Sequence, residues 1–213
     1  MKSNFKSSLF ICLSLTAISA VATGCGVIPA QTVTLDTAFD RTGTLRGDGQ
    51  FTGMLTNNFV IAGDEGNTNQ PQRGFISLSL NPIPAGATIT QVVLRLEASA
   101  TEGNPFTDFG AMQVDHVNAV SSITIVNYVG GTLTENIASI PSLPSGLLRE
   151  VVEIDITTQV QEDLAAGRPI SSFRFQFPFL AAPSADGTFD QVFISANQND
   201  ITLRPTATVT LGS

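Results

Sequence analysis

The chain has no tryptophan, one tyrosine, one histidine and two cysteines among its 213 residues. A zinc centre with the usual Cys and His ligands is therefore not expected, because His116 stands alone. Sugar-binding proteins commonly stack exposed aromatic rings on the apolar face of a sugar. Since Tyr128 is the only tyrosine, phenylalanine would have to supply such a platform.

Lysine is also nearly missing, because Lys2 and Lys6 are the only two. Beyond residue 24 the chain holds eight arginines against eighteen Asp and Glu residues, a net charge of −10. Nucleic-acid binding depends on clustered cations that neutralise phosphates, so no nucleic-acid partner is expected. The same charge disfavours adsorption to anionic headgroups, so any membrane attachment is expected to come from a lipid.

The N-terminus has the pattern of an export signal that ends at a cysteine. A short basic stretch precedes an apolar run over residues 9–22, and Ala22-Thr23-Gly24 leads to Cys25. An apolar run of roughly 14 residues is too short to span a bilayer and is typical of a signal peptide. We therefore predict a signal peptide over residues 1–24 and lipidation of Cys25.

Lipoprotein processing adds at least two fatty chains, which suffice for stable anchoring. The expected location is the cell envelope, at the outer membrane or the cell surface, with the membrane as partner through the N-terminal lipid. Two alternatives stay open. Ala20-Val21-Ala22 offers an ordinary cleavage site that would release a secreted protein starting at Thr23, and an uncleaved apolar run would act as an anchor.

The rest of the chain predicts a single all-β domain. Residues 25–32 are assigned to a lipidated tether and residues 33–213 to the domain, which is long enough for one sizeable core. Short segments rich in Val, Ile, Thr and Phe alternate with turn residues, which indicates a jelly-roll-like antiparallel β-sandwich. The predicted strands span residues 32–39, 58–62, 73–80, 88–98, 109–118, 123–128, 149–156, 171–180, 190–196 and 205–211.

Alternation of apolar and polar residues assigns some side chains to the core. Val152, Ile154 and Ile156 are expected to face inward, with Glu153 and Asp155 outward. A second set consists of alternating phenylalanines, which we expect to be core residues: Phe173, Phe175, Phe177 and Phe179. In segment 88–98, Ile89 and Val93 break the alternation, which predicts a β-bulge or burial on both sides.

One short crossover helix is predicted after residue 156. Thr157 or Thr158 can cap it, and Thr158 has capping-box spacing to Gln161. Val160 and Leu164 lie four positions apart, on one face of the helix. Gly167 followed by a proline ends it.

Several of these segments together resemble DNRLRE domains. The family's signature half is similar to residues 73–78 (RGFISL), 83–89 (IPAGATI) and 93–96 (VLRL). Its second half is similar to residues 154–157 (IDIT) through Gly167 to 173–175 (FRF), and its closing strand to residues 204–205 and 208–210. The resemblance implies a jelly-roll β-sandwich of bacterial surface and secreted proteins. Some relatives are carbohydrate-binding modules for acidic or plant-type polysaccharides.

Candidate catalytic groups are sparse. A Ser-His-Asp arrangement needs a histidine such as His116, but no G-x-S-x-G elbow accompanies it. Glycosidases use two carboxylates across a sugar, and Glu150, Glu153 and Asp155 lie close together. We interpret these three as the solvated face of a strand, with Asp155 bonding the start of the following helix. No catalytic residue is assigned.

Two kinds of binding site stay open. Acidic residues in Gly- and Asn-rich loops could bind Ca²⁺, although their spacing does not match a regular calcium loop. They are Asp48, Asp64, Glu65, Asp186 and Asp190. The phenylalanines with the best chance of exposure to a sugar are Phe106 and Phe109.

These observations predict an exported lipoprotein whose β-sandwich has a non-catalytic structural or interaction role. The alternative is a carbohydrate-binding module, with or without Ca²⁺, and a polysaccharide-active hydrolase comes third. The expected partner besides the membrane is a polysaccharide or an envelope protein.

Replacement of Cys25 tests the lipid prediction directly. Cells that express the wild-type chain should incorporate a fatty-acid probe into it, whereas Cys25→Ala should not be labelled, because the acylated thioether requires the thiol. Labelling is read by in-gel detection of the probe. Equal labelling of both proteins would refute lipidation at Cys25.

Overall fold

The computed structural model describes residues 30–53, 58–66, 68, 70–118, 122–143, 149–178 and 187–212. The predicted signal peptide, Cys25, Phe179 and Asp186 lie outside these residues. Within them, 53% of residues are strand and 15% are helix, which confirms the all-β prediction.

Twelve strands of the described chain form one antiparallel sheet. They are β1 (Gln31–Asp36), β2 (Gly43–Arg46), β3 (Phe51–Gly53), β4 (Phe59–Glu65), β5 (Gln70–Ser79), β6 (Ile89–Glu102), β7 (Met112–Val117), β8 (Thr132–Ile140), β9 (Glu150–Asp155), β10 (Ile170–Gln176), β11 (Asp190–Ser195) and β12 (Thr206–Leu211). The described α-helices are α1 (Pro105–Asp108), α2 (Ile125–Val129) and α3 (Thr157–Ala165). Two 3-10 turns cover Phe39–Arg41 and Ile201–Leu203.

The sheet curls until its first strand, β1, meets β5 in the middle of the strand order. Its strand order is β1-β12-β6-β11-β4-β5-β10-β7-β8, with β9 paired to β6, and β2 paired to β3 and β5. An isolated bridge joins Thr37, just past β1, to Leu78 of β5. The result is a β-sandwich whose two layers are parts of one continuous sheet, as expected for a strongly twisted sheet of this size.

The main core lies inside the curl. Phe173, Phe175 and Phe177 are fully buried there, which confirms three of the four predicted core phenylalanines. Val152, Ile154 and Ile156 also belong to this core, whereas Glu153 and Asp155 are exposed, as the alternation predicted. A smaller cluster forms on the outer face of the sheet from Leu45, Phe75, Val117, Ile123 and Tyr128.

The long strand β6 contains the predicted irregularity. Its pairing with β12 shifts register between Thr210 and Leu211, opposite Gln91 and Ile89. A second shift occurs where Ile194 pairs with Ala98 and Phe193 pairs with Ala100. Bulges increase local twist, so these two positions help β6 pair with β9 and β12 along one half and with β11 along the other.

One strand prediction was wrong. Segment 123–128 forms the helix α2, although its β-branched residues favour a strand. A capping box between Thr124 and Asn127 begins the helix, and the Thr124 amide donates to Asn127 Oδ1 at 2.9 Å. Three further strands escaped prediction: β2, β3 and β8. The first two are short and contain glycine, and β8 is an exposed polar edge strand whose sequence, TLTENIASI, lacks apolar alternation.

The predicted crossover helix is present as α3, between β9 and β10, but its cap differs. Thr157 is the first helical residue, and Ile156 occupies the cap position without a side-chain bond. The end is as predicted, at Gly167 with φ 68°. The Gly167 amide donates to the Leu164 carbonyl and the Arg168 amide to the Asp163 carbonyl, which is a Schellman motif. Leu164 itself is 36% exposed, so Val160 alone of the predicted pair is buried.

Replacement of Phe175 by alanine should destabilise the domain by about 3–5 kcal/mol, because it leaves a cavity at a fully buried site on the central strand β10. Urea unfolding followed by circular dichroism measures the loss. The matched control is Phe59→Ala, which should cost well under half as much, since Phe59 is 37% exposed. Equal costs for the two variants would contradict this core assignment.

Candidate functional site

A groove on the outer face of β4, β6 and β11 has the composition of a binding site. Cross-strand pairing brings Phe59 of β4 opposite Ser195 of β11, and Phe193 of β11 opposite Ala100 of β6. The rings of Phe59 and Phe193 meet edge to face, with centroids 5.8 Å apart and planes at 86°. Both rings line an apolar depression of about 260 Å³ together with Ser99 and Ala100.

A polar depression of about 320 Å³ adjoins the two rings and shares Phe59 and Ser99 with the apolar one. Its other lining residues are Asn58, Arg149, Ser195, Asn197 and Leu203. The Arg149 side chain is 65% exposed and pairs with Glu97 at 3.5 Å. Its guanidinium therefore still has N–H groups that can donate to a ligand. A polar end with amides and a cation beside an apolar end is typical of sites for small amphipathic ligands.

Of the two phenylalanines that we expected on the surface, Phe109 is buried at 6% exposure, whereas Phe106 is half-buried and lines a separate depression with Asn104 and Thr107. Both rings pack against Phe177. Tyr128 is also buried, and burial raises the pKa of its hydroxyl, which donates to the Pro71 carbonyl at 3.2 Å. Phe59, which is 37% exposed, and the half-buried Phe193 were missed because their strands look like ordinary alternating strands. Only the fold shows that no helix of the described chain covers the outer face on which they lie.

His116 is enclosed within the fold. It is 0% exposed, and its Nε2 lies 3.0 Å and 3.1 Å from the two carboxylate oxygens of Asp163 on α3. The ring stacks on Phe173, with centroids 5.7 Å apart. A catalytic base has to reach the proton it abstracts. In this structure His116 instead joins α3 to the sheet.

Asp163 has a second partner, the guanidinium of Arg168 just past the end of the same helix. Arg168 Nε donates to Asp163 Oδ1 at 2.5 Å, five residues further along the chain. Burial acts to raise the pKa of Asp163, but the bonds from His116 and Arg168 outweigh it and hold this pKa below its ordinary value. The ionised carboxylate is therefore part of the attachment of α3.

A second buried ion pair was not predicted. Arg174 alternates with the core phenylalanines of β10, which suggested an exposed side chain, yet it is 4% exposed. Its Nη2 donates to Asp115 Oδ2 at 2.8 Å and to Thr132 Oγ1 at 2.9 Å. Asp115 also accepts bonds from Gln176 and from the Asn136 amide. α2 covers this part of the sheet face, which sequence periodicity alone does not show.

The three carboxylates of β9 do not face one another across a cleft. Glu153 and Asp155 lie on the exposed face of the strand, as expected, and Glu150 is half-buried. Asp155 Oδ1 accepts from the Thr157 amide at 2.9 Å and from the Thr157 hydroxyl at 2.5 Å. These bonds lower the pKa of Asp155. Asp155 therefore bonds the start of α3, as we interpreted it.

The loop acids are partly brought together. Asp64 and Asp190 face each other across β4 and β11, and both are buried. Asp190 accepts from the Asn104 amide at 2.6 Å and from the Thr188 hydroxyl at 3.1 Å. Asp48 and Glu65 pair instead with Arg46. In the described part of the chain, no group of three or more His, Cys, Asp or Glu side chains is arranged to hold a metal ion.

Comparison with known proteins found no family model and no curated protein that matches the chain. Among the described residues, no helix has both the length and the apolarity that a bilayer span requires. The fold and the groove geometry therefore carry the functional argument.

Replacement of Asp163 by asparagine should destabilise the domain by about 3–5 kcal/mol at neutral pH, because it removes the buried carboxylate that bonds His116 and the partly exposed Arg168. The pKa of Asp163 is lower in the folded chain than in the unfolded one. Its contribution is therefore complete above about pH 4 and falls as the pH drops through the folded-state pKa.

Chemical unfolding at several pH values measures both effects. The wild type should lose more stability between neutral and acid pH than Asp163→Asn does. The matched control is Asp155→Asn. Because the Asp155 carboxylate is exposed, its replacement should lower the free energy of unfolding far less at neutral pH. Equal losses at the two positions would contradict the role assigned to the buried carboxylate.

Proposed function

We propose that the protein is an exported, lipid-anchored and non-catalytic binding module of the bacterial cell envelope. The groove formed by β4, β6 and β11 is its ligand-contact surface, and the lipid on Cys25 holds it at the membrane. The observation that carries this proposal is the partly exposed pair of rings, Phe59 and Phe193, beside a polar depression.

The placement of the ionisable side chains supports a binding role over a catalytic one. His116 is enclosed and bonded to Asp163, and Asp115 is held by Arg174. These groups stabilise the fold and are not exposed to a substrate. The residues that line the groove are instead amides, hydroxyls, one arginine and apolar side chains, which suit recognition.

A carbohydrate is the second candidate ligand, favoured by the groove itself. A sugar ring has an apolar face and a rim of hydroxyls. Phe59 and Phe193 could contact the face, while Asn58, Asn197 and Arg149 bond the hydroxyls. A DNRLRE-type assignment of the domain, which we also propose, would agree with such a ligand.

A glycan array with purified mature protein separates the two candidates. Saturable binding that weakens by about tenfold in Phe193→Ala, corresponding to about 1.4 kcal/mol, would support a carbohydrate module. Leu133→Ala is the matched control, since Leu133 is exposed on β8, which pairs with β7 and with none of the groove strands. Repeating the assay with EDTA tests for Ca²⁺.

If no glycan binds, a pull-down from the native cell envelope with wild type and Phe193→Ala tests for an envelope protein. A partner retained by the wild type and lost by the variant would support the interaction role at this groove. If Phe193→Ala binds the glycan or the protein partner as well as the wild type does, the groove assignment is wrong. Turnover of a polysaccharide by the wild type would contradict the non-catalytic role.

A further inference from the structure

The short helix α2 has the reverse of the usual amphipathic pattern. Its aliphatic side chains are exposed, at 46% for Ile125, 66% for Val126 and 76% for Val129. Its polar residue Asn127 is 7% exposed and is turned inward, next to Tyr128. A surface helix normally buries its apolar side chains and exposes its polar ones. We refer to Ile125, Val126 and Val129 as the aliphatic patch.

Several buried contacts hold this unusual orientation. The Arg174 guanidinium donates to the carbonyls of Asn127 at 2.9 Å, Tyr128 at 3.3 Å and Gly130 at 3.3 Å. The Asn127 side chain donates to the Asn118 carbonyl at 3.0 Å. These hydrogen bonds hold α2 in place with the aliphatic patch facing outward.

The same contacts make α2 suited to a water-free environment. The last carbonyls of a helix have no partner within the helix and usually bond water. Here a buried arginine bonds two carbonyls of the last turn and that of Gly130, so covering the helix with hydrocarbon would leave these groups satisfied. This arrangement lowers the free-energy cost of moving the helix carbonyls from water into lipid.

The charge distribution points in the same direction. The protein is strongly acidic, yet the sequence has no charged residue between His116 and Glu135, a stretch that contains all of α2. A neutral apolar surface can approach zwitterionic headgroups without the repulsion that the acidic faces would meet at an anionic membrane.

We propose that the aliphatic patch is a second membrane contact, which inserts into a zwitterionic phospholipid surface and orients the lipid-anchored domain. This inference rests on the anchor at Cys25 proposed above. Cys25 lies six positions before Gln31, where β1 begins, so the connecting chain reaches at most about 20 Å.

The tether allows the domain to tilt at the membrane. Its reach of about 20 Å is comparable to the radius of gyration of a domain of this size, about 16 Å, so the tethered domain can lie on its side with α2 toward the bilayer. The anchor also raises the local concentration of the patch at the membrane, so a weak contact suffices. Three side chains are too few for a stable protein interface, which uses about 20–30 residues a side.

The absence of tryptophan allows a clean test, because Val126→Trp gives the processed lipoprotein a single indole at the centre of the patch. The protein is reconstituted in phosphatidylcholine vesicles with and without brominated acyl chains. We expect a blue shift of the emission and a loss of intensity in brominated vesicles. Val151→Trp, at an exposed valine of β9, is the matched control and should show neither.

Vesicle flotation is measured in parallel to keep the two proposals distinct. If both variants float and bromine quenches neither, or both equally, the aliphatic patch is not a membrane contact although the anchor stands. If neither variant floats, the anchor at Cys25 is wrong and the second contact falls with it. A blue shift without vesicles would mean that a second copy of the chain covers the patch, which also overturns the proposal.

A charge placed in the patch provides the confirming variant. Val129→Asp in the Val126→Trp background should abolish the bromine quenching, since a carboxylate resists transfer into hydrocarbon. Flotation should remain, because the lipid is unchanged. Thermal unfolding of each variant checks the fold, and the exposed positions of both valines should leave it unaffected. Quenching that persists in the doubly substituted protein would contradict insertion of the patch.

Discussion

The buried ion pair between Arg174 and Asp115 is the interaction on which the arrangement of one whole side of the sandwich depends. Arg174 lies on β10 and Asp115 on β7, and the two residues are direct cross-strand neighbours. All N–H groups of the guanidinium have acceptors, which come from β7, α2, β8 and the Gly130 carbonyl. A buried charge is tolerated only when it is paired and bonded in this way.

The consequences of this pair extend to the aliphatic patch. Its bonds to the α2 carbonyls hold the helix over the outer face of the sheet, where Tyr128 and Ile123 close the smaller cluster. At Phe59 and Phe193, by contrast, no helix of the described chain covers the outer face of β4, β6 and β11, and the apolar depression lies there.

The sequence predicted the parts of the fold that follow from local alternation. The burial of Phe173, Phe175 and Phe177, the exposure of Glu153, and the helix end at Gly167 all follow from residue spacing and backbone preference. Segment 123–128 was assigned to a strand because its β-branched residues favour one. The deciding contact, from Arg174 to the carbonyls of that segment, joins residues more than forty positions apart. No local pattern contains such a contact, and for the same reason the partial exposure of Phe59 and Phe193 could not be predicted.

The acidic side chains are concentrated on parts of the surface other than the two proposed contact surfaces. β9 is paired on one side only, to β6, and its acidic residues Glu150, Glu153 and Asp155 line that strand. Charged side chains at an edge discourage the addition of a further strand from another molecule. The sequence between His116 and Glu135, which contains α2, has no charged residue. The high net charge keeps such a domain soluble, while both proposed contact surfaces present mainly uncharged side chains. On these two proposals, an acidic protein without basic clusters would contact a membrane through aliphatic side chains, and a ligand through aromatic rings beside neutral polar groups and Arg149.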